Sequence, residues 1–169
     1  MAILIREITD RKEIETSVGV IRRSFGTVAR QFGLTRENCP AHPSFVTTQQ
    51  LRGLCARGQR FFGLFADGVQ VGFVAVEKVG EAEHTMEKLA VVPAARHRGY
   101  GARLARFALD LAAGRGATTV SIGVIDEHTV LKDWYKSLGF AETGTQKFSH
   151  LPFTVCFMKA DIKGNQREV

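Results

Sequence analysis

The chain has 169 residues, of which 44% are hydrophobic and 24% are charged, and its formal net charge is +6 at pH 7. This length and apolar content predict a single domain, residues 1–169, with a buried core. No apolar run is long enough to cross a membrane, and charged residues follow too soon after Met1 for a signal peptide, so we expect a cytoplasmic protein without a membrane partner. The three cysteines have no regular spacing, which argues against disulfide bonds.

The first part of the chain reads as a strand followed by a helix. Residues 3–8 are rich in isoleucine and predict the strand, and Thr9 or Asp10 is expected to cap the helix. The helix has one apolar face, because these residues recur at a spacing of three or four: Ile14, Val18, Ile21 and Phe25. Residues 35–45 contain two prolines and no period, which predicts an ordered loop.

A second helix, a hairpin and a third strand follow the loop. The helix is predicted from residue 47 or 48 to residue 56. The hairpin covers residues 59–79, because an Asp67-Gly68 pair lies between two β-prone runs. An apolar run then predicts a buried strand over residues 84–92.

The segment after this strand combines glycines with arginines. Pro93 ends the strand, and residues 102–111 predict an amphipathic helix for which Gly114 supplies the stop. Between them, Gly99 and Gly101 leave backbone N–H groups and the positive end of the helix dipole facing one small volume. Such a volume suits a phosphate.

Two other phosphate-binding patterns do not fit this segment. The P-loop requires Gly-Lys-Ser/Thr at the helix start, but Ala102 and Arg103 follow Gly101. The dinucleotide-binding fingerprint requires a third small residue, where Leu104 stands, and an acid on the following strand, where none occurs before Asp126.

The remainder of the chain adds three strands and one helix. A strand is predicted over residues 119–125, a helix over residues 128–138, and two strands over residues 140–143 and 152–162. The alternation of strands and helices predicts a mixed sheet with helices on both faces.

Two motifs in this arrangement resemble the GNAT superfamily of acyl-CoA N-acyltransferases. The first is Arg96-x-x-Gly99-x-Gly101 after the proline-terminated strand, which is similar to the pyrophosphate-binding signature of that family. The second is Trp-Tyr-Lys-Ser-Leu-Gly-Phe at residues 134–140, which resembles its second signature. The resemblance implies an α/β fold with a mixed, mostly antiparallel sheet of about six to seven strands and about four helices. It also implies that the strands at 84–92 and 118–125 splay apart to admit the acyl-CoA.

The resemblance implies acetyl-CoA as cosubstrate and no metal. It assigns two groups of residues to this cosubstrate. The pantetheine arm would contact the backbone of Leu89, Ala90 and Val91, and the pyrophosphate would contact Arg96, His97, Arg98, Gly99, Tyr100, Gly101 and Ala102. Many relatives have an asparagine that touches the arm where this chain has His128. That histidine could replace the asparagine, relay a proton or cap the helix.

Amide formation requires a base for the incoming ammonium and an acid for the departing thiolate. Tyr135 stands where the family keeps its tyrosine and is the candidate acid, although it could also be a buried aromatic residue of the core. Glu87 precedes the cofactor-binding segment and is the first candidate for the base, with Glu83 and His84 as alternatives. A backbone N–H near Leu89 to Val91 would meet the oxyanion.

These features predict an N-acetyltransferase that transfers an acetyl group to a primary amine of a small molecule or peptide within a ternary complex. A non-catalytic acyl-CoA-binding module is the alternative. Basic residues are densest around the phosphate turn rather than in a run, so we expect no nucleic-acid partner, and a homodimer is left open.

Overall fold

The computed structural model of the protein describes residues 1–162, and the rest of the predicted domain, residues 163–169, lies outside the described residues. The seven strands are β1 (Ile3–Ile8), β2 (Arg60–Ala66), β3 (Val69–Lys78), β4 (Glu83–Val91), β5 (Thr119–Ile125), β6 (Phe140–Lys147) and β7 (Thr154–Asp161). The four α-helices are α1 (Arg11–Phe32), α2 (Thr48–Ala56), α3 (Tyr100–Gly114) and α4 (Thr129–Ser137). Their order along the chain is the predicted one.

All seven strands belong to one mixed sheet. The spatial order is β1-β2-β3-β4-β5-β7-β6, and every neighbouring pair is antiparallel except β4 and β5, which are parallel. The predicted fold class, a mostly antiparallel sheet flanked by four helices, is therefore confirmed.

The parallel pair β4 and β5 separates after a short ladder. The strands are in register at Glu83 and Thr119, at His84 and Val120, and at Thr85 and Ser121. Beyond these pairs no bridge joins them, although β4 continues to Val91 and β5 to Ile125. The predicted splay between these two strands is thus present.

Strand β4 carries a bulge beyond this ladder. Ala75 of β3 lies opposite Glu87, whereas Phe73 lies opposite Ala90, so β4 carries one extra residue in this interval. Lys88 lies there in the left-handed region, with φ of 53°. Bulges bend a strand and increase its twist. The apolar pattern of residues 84–92 contains no sign of it, because a bulge adds one residue without changing the composition.

Helices α1 and α3 cover opposite faces of the sheet. On one face, the rings of Phe62 and Phe107 of α3 have centroids 4.9 Å apart. The next residue, Gly63, faces the other way, and a Cβ there would lie 3.1 Å from Nε2 of Gln70. Gln70 in turn donates a 2.9 Å hydrogen bond to Ser17 of α1. Helices α1 and α3 therefore lie on opposite sides of β2.

The helix ends follow from capping residues. Asp10, one of the two predicted caps of α1, accepts a 2.7 Å hydrogen bond from the backbone N–H of Lys12. Thr47 and Gln50 form a capping box at the start of α2. Within residues 1–162, no helix is long and apolar enough to cross a membrane.

Helix α3 ends at Gly114, as predicted, although the nearby glycine with a left-handed backbone is Gly116, with φ of 86°. The predicted end of β6 is wrong. Strand β6 continues to Lys147 instead of ending at Thr143. Its side chains after Phe140 are exposed on both faces, so pairing with β7 rather than side-chain burial determines its length. An apolar pattern cannot indicate such a strand.

Candidate active site

The gap between β4 and β5 opens into a cleft of about 1020 Å³. Its lining includes Phe25 and Val28 of α1 on one face of the sheet, and Gly101 of α3 with Trp134 of α4 on the other. The cleft therefore reaches both faces of the sheet at the point where the two strands diverge. Most of the predicted site residues line it.

The turn between β4 and α3 presents unpaired backbone donors. Within residues 1–162, the backbone N–H groups of residues 97–102 donate no hydrogen bond. His97 and Gly99 have left-handed backbones, with φ of 64° and 80°, and the first turn of α3 follows directly. Successive N–H groups at a helix start, together with the helix dipole, form an anion-binding concavity.

Most residues of this turn face the cleft. His97, Tyr100 and Ala102 line it together with both glycines, whereas Arg98 is exposed and does not. A contact of the Arg98 side chain with the pyrophosphate therefore has no support from the cleft geometry and stays a prediction.

The two glycines of the turn are required for different reasons. Gly99 has a left-handed backbone, which strains any residue with a Cβ, and its surroundings are open. A Cβ at Gly101 would lie 3.3 Å from the ring of Trp134, so the second glycine lets α4 pack closely against the start of α3. The two sequence motifs are thus in direct contact in the fold.

The side chain of Arg96 is turned into the protein. Its Nη2 donates to the carbonyl oxygen of Ser24 at 2.9 Å and to Oγ1 of Thr27 at 3.1 Å, and its Nε donates to the carbonyl oxygen of Val91 at 3.3 Å. Burial lowers the pKa of Arg96. The guanidinium thus ties α1 to the end of β4, and its predicted contact with the pyrophosphate stays a prediction.

The side chains of the predicted cofactor-binding segment of β4 point in two directions. Leu89 and Val91 line the cleft, whereas Ala90 is buried in the core and does not. The backbone N–H of Val91 donates to Oγ of Ser24 at 3.2 Å. This N–H is therefore already used and is not available to the predicted oxyanion.

Tyr135 lies in α4 and is both a core residue and a cleft residue. It is only 7% exposed, and its ring meets those of Trp134 and Phe140 edge to face, at centroid distances of 5.0 and 5.4 Å. Its hydroxyl makes no hydrogen bond with any residue in the range 1–162. Burial raises the pKa of Tyr135 well above its usual value. The phenol is therefore protonated at neutral pH.

Glu87 projects from β4 into the cleft, and its side chain is 43% exposed. Its Oε2 accepts a 2.9 Å hydrogen bond from Nε2 of Gln59 and lies 3.5 Å from the ammonium of Lys88. Gln59 is buried and also donates to Glu77, at 3.3 Å. These partners hold the carboxylate in one place while leaving it open to the cleft.

The two alternative bases are less well placed. Glu83 pairs with Lys159 at 2.7 Å, and His84 is buried at 3% exposure. Neither residue lines the cleft. Burial and the nearby positive charges of Arg115 and Lys78 lower the pKa of His84. Of the three candidates, only Glu87 can meet a molecule in the cleft.

His128 caps α4 and faces the cleft. Its Nδ1 accepts a 3.4 Å hydrogen bond from the backbone N–H of Leu131, and its ring lies 5.4 Å from that of Phe32. Burial lowers its pKa, which keeps the ring neutral at physiological pH. The helix cap, one of the three predicted roles, is present, and a contact with the cofactor arm stays a prediction.

A family model described as the acetyltransferase (GNAT) family matches residues 29–140. The chain belongs to the GNAT acetyltransferase family. The matched range contains both motifs, α3 and the splayed strands. The resemblance inferred from the two motifs is therefore confirmed.

Solved structures agree with this GNAT assignment. The ribosomal-protein-S18-alanine N-acetyltransferase of Escherichia coli is 18% identical, with a TM-score of 0.76 over 95% of this chain and 94% of that one. The PaiA N-acetyltransferase of Thermoplasma acidophilum, solved with coenzyme A, is 19% identical, with a TM-score of 0.73 over 95% and 99% of the two chains. YncA of Salmonella typhimurium, solved with acetyl-CoA, is 19% identical, with a TM-score of 0.69 over 96% and 95%. At these identities the likeness shows the shared fold.

Several residues that shape this GNAT cleft do not follow from its motifs. Ser24 and Thr27 of α1 hold Arg96, and Gln59 holds Glu87. Ser24 follows Ile21 at helical spacing and therefore lies on the apolar face of α1. A polar residue in such a place indicates a buried hydrogen bond, so Ser24 could have been found from the sequence. Gln59 gives no such signal, because it stands at the start of a hairpin strand where polar residues are common.

The GNAT chain also carries a compact group of potential metal ligands. Asp126, Glu142 and Cys156 offer ligand atoms within 4.8 Å of one another. The ammonium of Lys132 lies 2.8 Å from Asp126 and 3.4 Å from Glu142, so a cation is already present between the carboxylates. The predicted absence of a metal stays a prediction.

Proposed function

We propose that the protein is an acetyl-CoA-dependent N-acetyltransferase that acts on a primary amine of a small molecule or peptide. The observation that carries the proposal is the row of unpaired backbone N–H groups at residues 97–102, next to the gap between β4 and β5. A diphosphate would satisfy these donors and place the pantetheine arm along the gap. Two structural neighbours that contain coenzyme A or acetyl-CoA support this occupant.

Glu87 would serve as the base. An alkylamine has a pKa near 10 and is mostly ammonium at neutral pH, so one proton must leave before the nitrogen can attack. The carboxylate of Glu87 would accept this proton directly or through one water and pass it to solvent. Its exposure of 43% leaves that route open, while Gln59 fixes its position.

Tyr135 would serve as the acid. The neutral nitrogen attacks the thioester carbonyl carbon, a C–N bond forms, and the C–S bond breaks as the electron pair moves to sulfur. The protonated Tyr135 hydroxyl donates to this thiolate, and the second proton of the new amide nitrogen restores the phenol. In sum, an ammonium and a thioester give an amide, a thiol and one proton released to solvent. Proton transfer of this kind contributes about 10² to 10⁴ in rate.

Thiol release tests the proposal. The protein is mixed with acetyl-CoA and one of a panel of amines that includes alkylamines, arylalkylamines, polyamines, amino acids and peptides, and free thiol is followed with a chromogenic disulfide. We expect amine-dependent thiol release together with mass-spectrometric detection of the acetylated amine. Coenzyme A binding without turnover on any amine would support the non-catalytic module instead. Absence of coenzyme A binding would overturn both.

A further inference from the structure

The part of the cleft on the α1 face of the sheet has apolar walls. On one side, Phe157 lies opposite Gly123 in the ladder and Val155 lies opposite Ile125. Opposed residues of neighbouring strands point to the same face. A Cβ at Gly123 would lie 3.6 Å from Cγ1 of Val155 and 4.0 Å from Cε1 of Phe157. Both side chains therefore border the gap at a position where β5 itself has no side chain.

The other side of this space is formed by α1 and the segments next to it. Phe25 lines the cleft and meets the ring of His42 edge to face, at a centroid distance of 5.7 Å. Val28 and Phe153 also line the cleft, and both pack against the small buried cluster that contains Ile125. Aromatic and branched aliphatic side chains thus face the α1 side of the gap from two directions.

Few charged side chains line the cleft. Among the lining residues within the described part of the chain, Glu87 is the only carboxylate. The ammonium of Lys88 lies 3.5 Å from it, and burial lowers the pKa of His42 to about 4, so this histidine is neutral. The contact with Lys88 is longer than a hydrogen bond, so the carboxylate can still receive one ammonium of an acceptor. A second ammonium on the same molecule would lie among apolar walls without a partner, which is unfavourable.

We infer that the acceptor is a primary monoamine joined to an aromatic or branched apolar group, and not a polycation. This inference rests on the proposed function and adds the class of acceptor. The amine would approach Glu87 beside Gly123, and the apolar group would pack between Phe25 and Phe157. A small arylalkylamine and a peptide that begins with an apolar residue share this chemistry.

Steady-state kinetics with matched acceptors test the inference. The acceptors are phenethylamine, ethylamine, spermidine and an amidated tripeptide beginning with phenylalanine, all with saturating acetyl-CoA. We expect kcat/KM to be at least about 10-fold higher for phenethylamine than for ethylamine, because an apolar pocket discriminates by this factor or more. A comparison of kcat/KM between the tripeptide and phenethylamine shows whether the preferred acceptor is a peptide amino terminus or a small molecule. A kcat/KM for spermidine equal to or above that of phenethylamine would overturn the inference.

A variant of the proposed wall provides the second test. Phe157 is 38% exposed, so Phe157→Ser should fold, and we expect the ratio of kcat/KM for phenethylamine over ethylamine to fall about 10-fold. Leu4→Ser is the matched control, because Leu4 is 55% exposed on β1 and does not line the cleft. An unchanged ratio in Phe157→Ser would overturn the inference while leaving the proposed function intact. Absence of turnover with every amine would instead refute the proposed function.

Discussion

The proposed acid step depends on one group, the hydroxyl of Tyr135. Tyr135→Phe removes this oxygen and keeps the ring contacts with Trp134 and Phe140. We expect thiol release at saturating substrates to slow by about 10²-fold or more, because an acid in the transition state contributes about that factor. Coenzyme A affinity, measured by calorimetry, should remain within about 2-fold, since the phosphate donors are untouched. A variant that turns over at the wild-type rate would remove Tyr135 from the mechanism.

His42 makes stability depend on pH. Burial lowers its pKa from 6.5 to about 4, so the unfolded chain takes up a proton at a higher pH than the folded chain does. Stability therefore falls as the pH drops from 6.5 towards 4, by about 3 kcal/mol at most from this residue, and no further below that range.

The His42→Asn variant isolates this contribution from those of His84 and His128, whose pKa values are lowered in the same direction. Asparagine is also a favourable capping residue, so the turn at Pro43–Phe45 should be kept. Urea unfolding at several pH values should show a shallower decline for the variant between pH 6.5 and 4. Parallel curves for the two proteins would show that the buried imidazole does not control this transition.

Individual site residues could be predicted from the sequence where they belong to local motifs. Gly99 and Tyr135 could be predicted because each is part of a short pattern with a fixed place on an element. Gln59 could not, since its contact with Glu87 joins residues 28 positions apart and depends on the register of three strands. The inward direction of the Arg96 side chain could not be predicted either, because it depends on contacts with two residues of α1.

The turn between β4 and α3 depends on Gly99, one of its two residues with a left-handed backbone. Gly99→Ala forces a Cβ into a backbone with φ of 80°, which should destabilise the protein by about 1–2 kcal/mol and weaken coenzyme A binding. Gly114→Ala is the matched control at the other end of α3, where no atom lies within 4 Å of the new Cβ. It should leave coenzyme A affinity unchanged and stabilise the helix by about 0.5–1 kcal/mol. Thermal unfolding with and without coenzyme A measures both effects, and equal behaviour of the two variants would contradict the proposed role of Gly99.

The joint between α1 and β4 depends on Arg96. Arg96→Met keeps much of the aliphatic stem but removes the donors to Ser24, Thr27 and Val91, which should destabilise the protein by about 1–3 kcal/mol. The turn that follows should loosen, and coenzyme A affinity should fall about 10-fold. The control is Arg106→Met, because this arginine is exposed on α3. Denaturant unfolding measures the stability of each variant, and calorimetry measures its coenzyme A affinity. If both variants matched the wild type in both quantities, Arg96 would not have this role.

Elements with a regular apolar pattern could be predicted, and those determined by pairing could not. The period of α1 and the Asp67-Gly68 turn located their elements to within a few residues. The end of β6 was missed because its exposed side chains carry no pattern, and the bulge at Lys88 was missed because only the register with β3 reveals it.

At the scale of the whole molecule, the separation of two parallel strands produces the cleft. The three-pair ladder between β4 and β5 keeps their first residues together, and no bridge joins the later residues, among which β4 has its bulge. Helix α1 borders the gap on one face, and α3 with α4 borders it on the other. One opening thus joins a proposed site for a diphosphate to a proposed site for an amine, as transfer within a ternary complex requires.

The central claim is that the backbone N–H groups of residues 97–102 hold the diphosphate of the cosubstrate. Amide NMR of the uniformly ¹⁵N-labelled protein during titration with coenzyme A tests it most directly. We expect saturable shifts of the amide signals of residues 97–102, together with those of Leu89 and Val91, at one molecule per chain. Absence of saturable shifts at residues 97–102, or shifts confined to other parts of the chain, would contradict it.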